Sequence, residues 1–550
     1  MPYLHTIGLE NFRLFKEKTV FELAPITILT GINNSGKSSL IKALQLMQSS
    51  LESTKELNEL NFVGGRHNLG TFSQTKNIDS ADNSIRLIFD FDLRSIDFQT
   101  LLELEYSVTK NEQESGVLTG LRVLVEGETP IISMKFDLLD VKWKVKLDLE
   151  YLIGYFSEKF NQQYFSDKRK SEEELQDEES ILSNLFPNPN EERANIFESF
   201  YSNNHKSTYF PYEEFSSKEL IRGFSSLNED VKNAILERIK GMREIGNSLD
   251  MAGVIGTDLK FIEVAEMLLN DLDQWFLLYD KKLNLELSTL GEFIFKDFLK
   301  KELITSLSNF NEKFKFVNSL SSIRANSERL YANNSSIVDI NSLLINYSKI
   351  DFDNTPDIKR FVKRSLEHFK IGEGLEVKRH QGVATEIFIL KNGQKVLLAD
   401  LGFGFTQLVP IIVKIALIAH QCRGLDLPWE DKIENTFLLE EPESNLHPSY
   451  QSKLAELIID AARTFNIQFI IETHSEYMIR NFQYLTATKK IPSNATKIYY
   501  FNQPGTEDFE EAPYREIEIM RDGRLSNEFG EGFFDEIPRL LAFLYNSNSN

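Results

Sequence analysis

Apolar and polar residues change rhythm several times along the 550-residue chain, and each change marks a different kind of element. "YLHTIGLENFRLF" and "KTVFELAPITILTG" read as two short strands within residues 1–31, the second closing on a glycine. "SSLIKALQLMQSSLE" then repeats apolar residues at the spacing of an amphipathic helix. From about 83 to 150 apolar and polar residues alternate, in "SIRLIFDFDL", "LLELEYSVT", "GLRVLVEG", "IISMKFDLL" and "VKWKVKLDLEYL". That pattern predicts an antiparallel meander. Helical spacing dominates 151–370, as in "DLKFIEVAEMLLNDLDQWFLLYDKKL". Near 376 strands return with "LEVKRHQGVATEIFIL" and "QKVLLADLG", followed by helix, buried strand, helix and strand to about 500.

This order predicts an α/β domain split in sequence. Residues 1–95 form its N-terminal half and 376–550 its C-terminal half. An antiparallel β subdomain occupies 96–150, and a mainly helical insertion occupies 151–375. The length fits more than one core.

Composition narrows the function. Phenylalanine is used 42 times, which predicts Phe-rich cores. The formal net charge of -22 excludes a surface that grips nucleic acid as a whole. Contact with nucleic acid would need a partner or a local patch such as "DIKRFVKR" (357–364). The single cysteine, Cys422, excludes a disulfide framework and a cysteine-based zinc site within the chain, and fits a reducing, cytoplasmic setting. The N-terminus shows no secretory pattern. The longest apolar stretch, "LVPIIVKIALIA" (408–419), contains Lys414 and reads as too short to span a bilayer, so no membrane partner is expected.

Four motifs carry chemistry. "GINNSGKSSLIKAL" (31–44) matches G-x-x-x-x-G-K-[ST] through Gly31, Gly36, Lys37 and Ser38. With Asn33, Asn34, Ser35 and Ser39 it forms a loop whose backbone N–H groups turn toward phosphate. Lys37 reaches the β- and γ-phosphates, and Ser38 ligates Mg²⁺. "TFLLEE" is a buried strand that ends in Glu440, suited to the metal, and Glu441, suited to polarising water. "FIIETHSEYMIR" delivers His474 at the carboxyl end of another strand, where open α/β sheets bind ligands and a γ-phosphate can be sensed. "LADLGFGFTQLVPII" places Gly402, Gly404, Thr406 and Gln407 at a helix start, a further phosphate contact. Together they predict a site that binds a nucleotide's phosphates with Mg²⁺ and polarises a water against them.

The order of these motifs resembles the ABC-type P-loop ATPase head, in its SMC, RecF and OLD-like branch. "LENFRLF" resembles that branch's opening strand, which implies that Arg13 lies near the nucleotide. "GINNSGKSSLIKALQLM", "SSIRANSERLY", "DLGFGFTQLVPI", "EEPESNLHPSYQ", "ETHSEYMI" and "GEGFFDE" together resemble a bacterial family of single-head ATPases with a C-terminal GFFDE element. That family includes the ATPase subunit of Septu-type anti-phage systems, also found with some retrons.

The resemblance implies a homodimer, or a higher oligomer, that sandwiches two ATP molecules. Gly404, Thr406 and Gln407 would reach the ATP of the other chain, and Asn445 and His447 would lie in a loop linking the two sites. It also implies a switch that controls a separate HNH-type nuclease; the chain shows no nuclease centre of its own. Gly404 stands where a serine is common, and Glu440 where aspartate is usual. Gln74 is a weak candidate for the family's glutamine loop. The alternatives are a DNA-repair or chromosome-maintenance ATPase, for which sustained heptads are missing from the insertion, and a non-hydrolysing ATP-bound scaffold.

Overall fold

A computed structural model describes residues 4–54, 57–64, 67–93, 99–109, 112–125, 129–137, 142–147, 249–250, 306–322, 331–332, 340–380, 384–421, 435–530, 533–534, 539–541 and 544. The strands β1 (Thr6–Glu10), β2 (Thr19–Glu22) and β3 (Ile26–Gly31) open the chain, and the helix α1 (Lys37–Thr54) follows. All six residues of β3 are buried, as in a strand covered on both faces.

The alternating stretch forms β4 (Ser84–Asp90), β5 (Thr100–Thr109), β6 (Glu112–Val125), β7 (Thr129–Asp137) and β8 (Lys142–Leu147). They lie in one antiparallel sheet in the order β8-β7-β6-β5-β4-β1-β2. The expected division at residue 95 therefore falls inside a continuous sheet. β4 pairs with β1 on one side and β5 on the other, so the meander extends the opening strands.

The stretch read as a helical insertion is outside the described residues over most of 151–305. Its end is not an insertion in space. β9 (Val317–Leu320) pairs in parallel with a strand of the C-terminal half, and α2 (Pro356–His368) packs Ile358, Phe361, Val362 and Leu366 into that half's core. The strands β10 (Gly374–His380), β11 (Ala384–Lys391) and β12 (Gln394–Leu397) form a small antiparallel sheet before helix α3 (Phe403–Gln421).

Helix α3 is 19 residues long and apolar enough to cross a membrane by length and composition, which corrects the reading of its sequence as too short. Its most apolar window is 78% buried within the protein, so its sides are covered by neighbouring elements. Basic α2 is largely paired with acids: Arg364 donates twice to Asp460 at 3.0 and 2.8 Å, and Lys359 and Lys363 meet Asp353 and Glu367. The patch expected to meet nucleic acid thus has several of its charges already matched.

The remaining elements are β13 (Asn435–Glu440), α4 (Pro448–Phe465), β14 (Ile467–Glu472), α5 (Glu476–Ala487), β15 (Thr496–Phe501) and β16 (Tyr514–Glu518). The second sheet runs β9-β13-β14-β3-β15-β16, parallel except for β16. Register matches Glu440 with Glu472 and Gly31 with Phe501. The carboxyl ends of β13, β14 and β3 therefore lie side by side. One apolar core fills the space between α1, the antiparallel sheet and one face of the parallel sheet. A second packs α2 to α5 on the opposite face. Phenylalanine does much of this packing: Phe21 touches Phe15, Tyr499, Phe501 and Tyr514. Of the late GFFDE element, Phe533 meets Tyr500 and Phe534 lies under Arg480.

Candidate active site

The loop between β3 and α1 closes because two of its glycines adopt backbone angles that side chains rarely take. Gly31 has φ +133° and Gly36 φ +100°. A Cβ on Gly31 would stand 2.4 Å from Phe501 O, so only glycine lets β15 approach this closely. Asn34 sits in the left-handed region at φ 61°, which asparagine tolerates well. Asn33 and Asn34 are exposed, whereas Ser35 and Ser39 are buried. Ser35 Oγ donates to Ile32 O at 2.7 Å and pins the loop.

Lys37 is 3% exposed, and its ammonium donates to Gly31 O at 3.2 Å and Ile32 O at 2.5 Å. The head is thus folded back over the loop's rim. Burial lowers its pKa from the ordinary value, and Glu472 and Glu441 oppose that shift. Ser38 Oγ donates to Glu472 Oε1 at 2.9 Å. Glu440 pairs with Lys42, whose Nζ is 3.4 Å away. Burial pushes the Glu472 carboxyl up; the Ser38 hydrogen bond and Lys37 pull it back, and Glu440 and Glu441 add to the rise.

Glu441 lies just beyond β13 in the left-handed region, at φ 42°. Its N–H donates to Glu472 O at 2.7 Å, and its Oε2 accepts the Ser444 hydroxyl at 2.9 Å. Glu443 is 8% exposed, and its Oε1 accepts the His474 N–H at 2.6 Å. The His474 ring itself is exposed. Partial desolvation and then Lys37 lower its pKa, with Glu441 opposing. Arg13 is held in the left-handed region at φ 53° by bonds to Thr75 O and from Asn77. Desolvation lowers its pKa, and Glu472 raises it.

The helix start at 402–407 lies differently from the expected array. Thr406 and Gln407 are 1% and 3% exposed, and the Thr406 hydroxyl donates to Phe403 O at 2.6 Å. Of the expected trio only Gly404 keeps an open face. Phe403, 46% exposed, and Gly402 are the residues turned outward there. A Cβ on Gly404 would lie 3.0 Å from Asn445 O, so this helix start and the 441–447 loop touch within one chain. His447 caps α4 by accepting from Ser449 N. Gln74 is occupied in a local capping box with Thr71.

Sequence reasoning missed two residues. Glu472 follows the same rule that singled out Glu440, an acid at the end of a buried strand, and could have been found by it. Glu443 carries no signal of that kind; only the fold brings it to His474. The oxygens gathered here, the Ser38 hydroxyl and the carboxylates of Glu440 and Glu472, are hard donors of the kind Mg²⁺ takes alongside phosphate. The donor set fits that ion.

Residues 3–479 match the family described as AAA ATPase domain (AAA_15). Residues 491–544 match a second family, described as protein of unknown function (DUF3696). No curated protein matches the sequence. Among solved structures, the Smc head domain with an extended coiled coil, bound to the C-terminal domain of ScpA, from Pyrococcus furiosus is 13% identical with a TM-score of 0.30, and each chain is covered in full (100%). The Smc head with a coiled coil and joint from Pyrococcus yayanosii is 14% identical with a TM-score of 0.33, covering 95% of this chain and 98% of that one. The SMC head from Thermotoga maritima is 11% identical with a TM-score of 0.30, covering 91% and 95%. Likeness at that level is too weak to inform the chemistry.

Proposed function

The chain belongs to the AAA ATPase domain family over residues 3–479, and from that premise we propose that it binds and hydrolyses Mg²⁺–ATP at the carboxyl ends of β3, β13 and β14. The observation that carries this reading is the convergence of Lys37, Ser38, Glu440, Glu441 and His474 on one edge of the parallel sheet. The loop's N–H groups and the N-terminus of α1 receive the phosphates. Lys37 leaves the carbonyls of Gly31 and Ile32 for the β- and γ-phosphates. Ser38 and Glu440 would hold the cation, whose charge would offset that of the phosphate oxygens. Glu441 orients the attacking water, and His474 sits where the γ-phosphate is sensed.

Arg13, Asn33, Asn34, Ser35, Gly36 and Ser39 complete the binding loop. Gly404 presents the surface that a second chain would meet across the nucleotide, with Thr406 and Gln407 supporting it from inside. Two chains closed on ATP would form the switch, since the γ-phosphate bonds both. The motif set from "GINNSGKSSLIKALQLM" to "GEGFFDE" supports a role as the ATPase subunit of an anti-phage complex that governs a separate HNH-type nuclease.

Turnover of Mg²⁺–ATP measured across protein concentrations tests the enzyme reading. The expected result is a rate that rises faster than linearly and is lost in Glu441→Gln. Tight ATP binding without turnover would instead fit an ATP-held scaffold. Plating phages on bacteria that express the chain with the genes flanking its own tests the defence role. Protection that Lys37→Ala abolishes supports it; no protection against any phage, from a chain that hydrolyses ATP, removes it.

A further inference from the structure

Glu472 is one of the oxygens gathered at the cation site, yet it lies deeper than Glu440 and its own part there has not been assigned. It is 6% exposed at the end of β14, in register with Glu440 at the end of β13. The two carboxylates meet different residues of α1: Glu440 faces the ammonium of Lys42, and Glu472 accepts from Ser38, four residues nearer the phosphate loop. Ser38 and Lys42 lie on the same face of α1, about 6 Å apart along its axis. Glu472 therefore bonds the first turn of α1 directly, whereas Glu440 is met by a long lysine side chain.

A serine hydroxyl has one proton and two lone pairs. In this structure the proton is committed to Glu472 Oε1 at 2.9 Å. The lone pairs of that oxygen are then left for a cation. Without an acceptor at this position the hydroxyl would rotate, and its oxygen would no longer be fixed toward the phosphates.

We propose that Glu472 is a positioning residue of the cation site: by taking the Ser38 proton it turns the serine oxygen toward Mg²⁺. The inference rests on the Mg²⁺–ATP reading above. It also accounts for a costly arrangement, since Glu472 is buried in the company of Glu440 and Glu441. Desolvated like charges are unfavourable unless compensated. Lys37 and Lys42 offset part of this charge, and a divalent cation beside Ser38 offsets more.

The test is ATP affinity, read by a fluorescent ATP analogue in excess Mg²⁺ and again in EDTA. It is applied to the full chain and to Glu472→Ala, Ser38→Ala and the double variant. In the intact chain Mg²⁺ is expected to tighten binding. Glu472→Ala is expected to lose about 10- to 100-fold of that gain, as outer partners of metal ligands do, while its affinity in EDTA stays within about twofold. The double variant should be no worse than Ser38→Ala alone, because Glu472 acts through Ser38.

A Glu472→Ala chain that keeps the full Mg²⁺ gain overturns the inference, as does a double variant whose losses add. An intact chain that binds no ATP in either condition overturns the underlying reading as well. Should Glu472→Ala fail to fold, Glu472→Gln keeps the size and one acceptor oxygen. It is then expected to lose a smaller part of the Mg²⁺ gain with EDTA affinity unchanged, and an undiminished gain overturns the inference.

Discussion

Glu443 Oε1 accepts the backbone N–H of His474 at 2.6 Å, so the loop that leaves β13 is tied directly to the loop that leaves β14. The bond joins the segment that carries Glu441 to the segment that carries His474.

Glu443→Ala leaves that partly buried N–H without its acceptor and is expected to cost about 1 kcal/mol of stability, measured by urea unfolding. Glu443→Gln keeps an acceptor but cannot ionise. Burial raises the Glu443 pKa above its ordinary 4.5, and the His474 N–H only partly offsets the rise. Between the unfolded and folded values the native chain holds the extra proton. Stability of the intact chain relative to Glu443→Gln is therefore greatest below 4.5 and declines as pH rises through the folded value. A flat difference between the two chains from about pH 4 to about pH 8 would contradict this.

Lys37→Ala removes the ammonium now bonded to Gly31 O and Ile32 O. Charge-assisted bonds of this kind contribute about 1.5–3 kcal/mol, so ATP affinity should fall roughly 10- to 100-fold. Titration with a fluorescent nucleotide reads this directly. Circular dichroism should show the fold retained.

Gly31→Ala and Gly393→Ala make a matched pair. Both glycines have positive φ, +133° and +73°, but a Cβ on Gly31 meets Phe501 O at 2.4 Å and one on Gly393 meets nothing within 4 Å. Strain and collision at Gly31 should cost roughly 3 kcal/mol. At Gly393, in the two-residue turn between β11 and β12, about 1 kcal/mol is expected. Thermal unfolding of the two variants gives the order.

Phe403 stands 46% exposed at the start of α3, the surface that the proposed ATP sandwich assigns to a second chain. ATP added to a Glu441→Gln chain should produce dimers by light scattering. Adding Phe403→Glu should hold that chain monomeric while its ATP affinity changes by less than about twofold, since the residue lies outside the binding loop.

The elements that carry the candidate site were legible in the sequence wherever a local pattern suffices. All-apolar runs that end in acids, "TFLLEE" and "IQFIIET", gave β13 and β14, and the glycine spacing gave the loop. What needs register was not legible. The Ser38–Glu472 bond spans 434 positions and depends on β14 lying between β13 and β3. Helical phase was equally hidden: Thr406 and Gln407 are polar, yet the turn of α3 buries both. β9, "VNSL", is four residues long inside a stretch of helical spacing, and only its pairing with β13 makes it a strand. Pairing across position 95 was likewise hidden: β4 lies before it, yet joins β1 on one side and β5 on the other.

The close approach of Gly31 to Phe501 has a consequence for how the chain is made. β3 lies between β14 and β15, partners whose residues 467–472 and 496–501 emerge from the ribosome long after residue 31. At ordinary translation rates of about 5–20 residues per second, that delay is on the order of 20 to 100 seconds. Through all of it the backbone N–H and C=O groups along both edges of β3 have no parallel neighbours. The newborn N-terminal segment must then wait unpaired or be held by a chaperone, and the phosphate loop acquires its shape only near the end of synthesis.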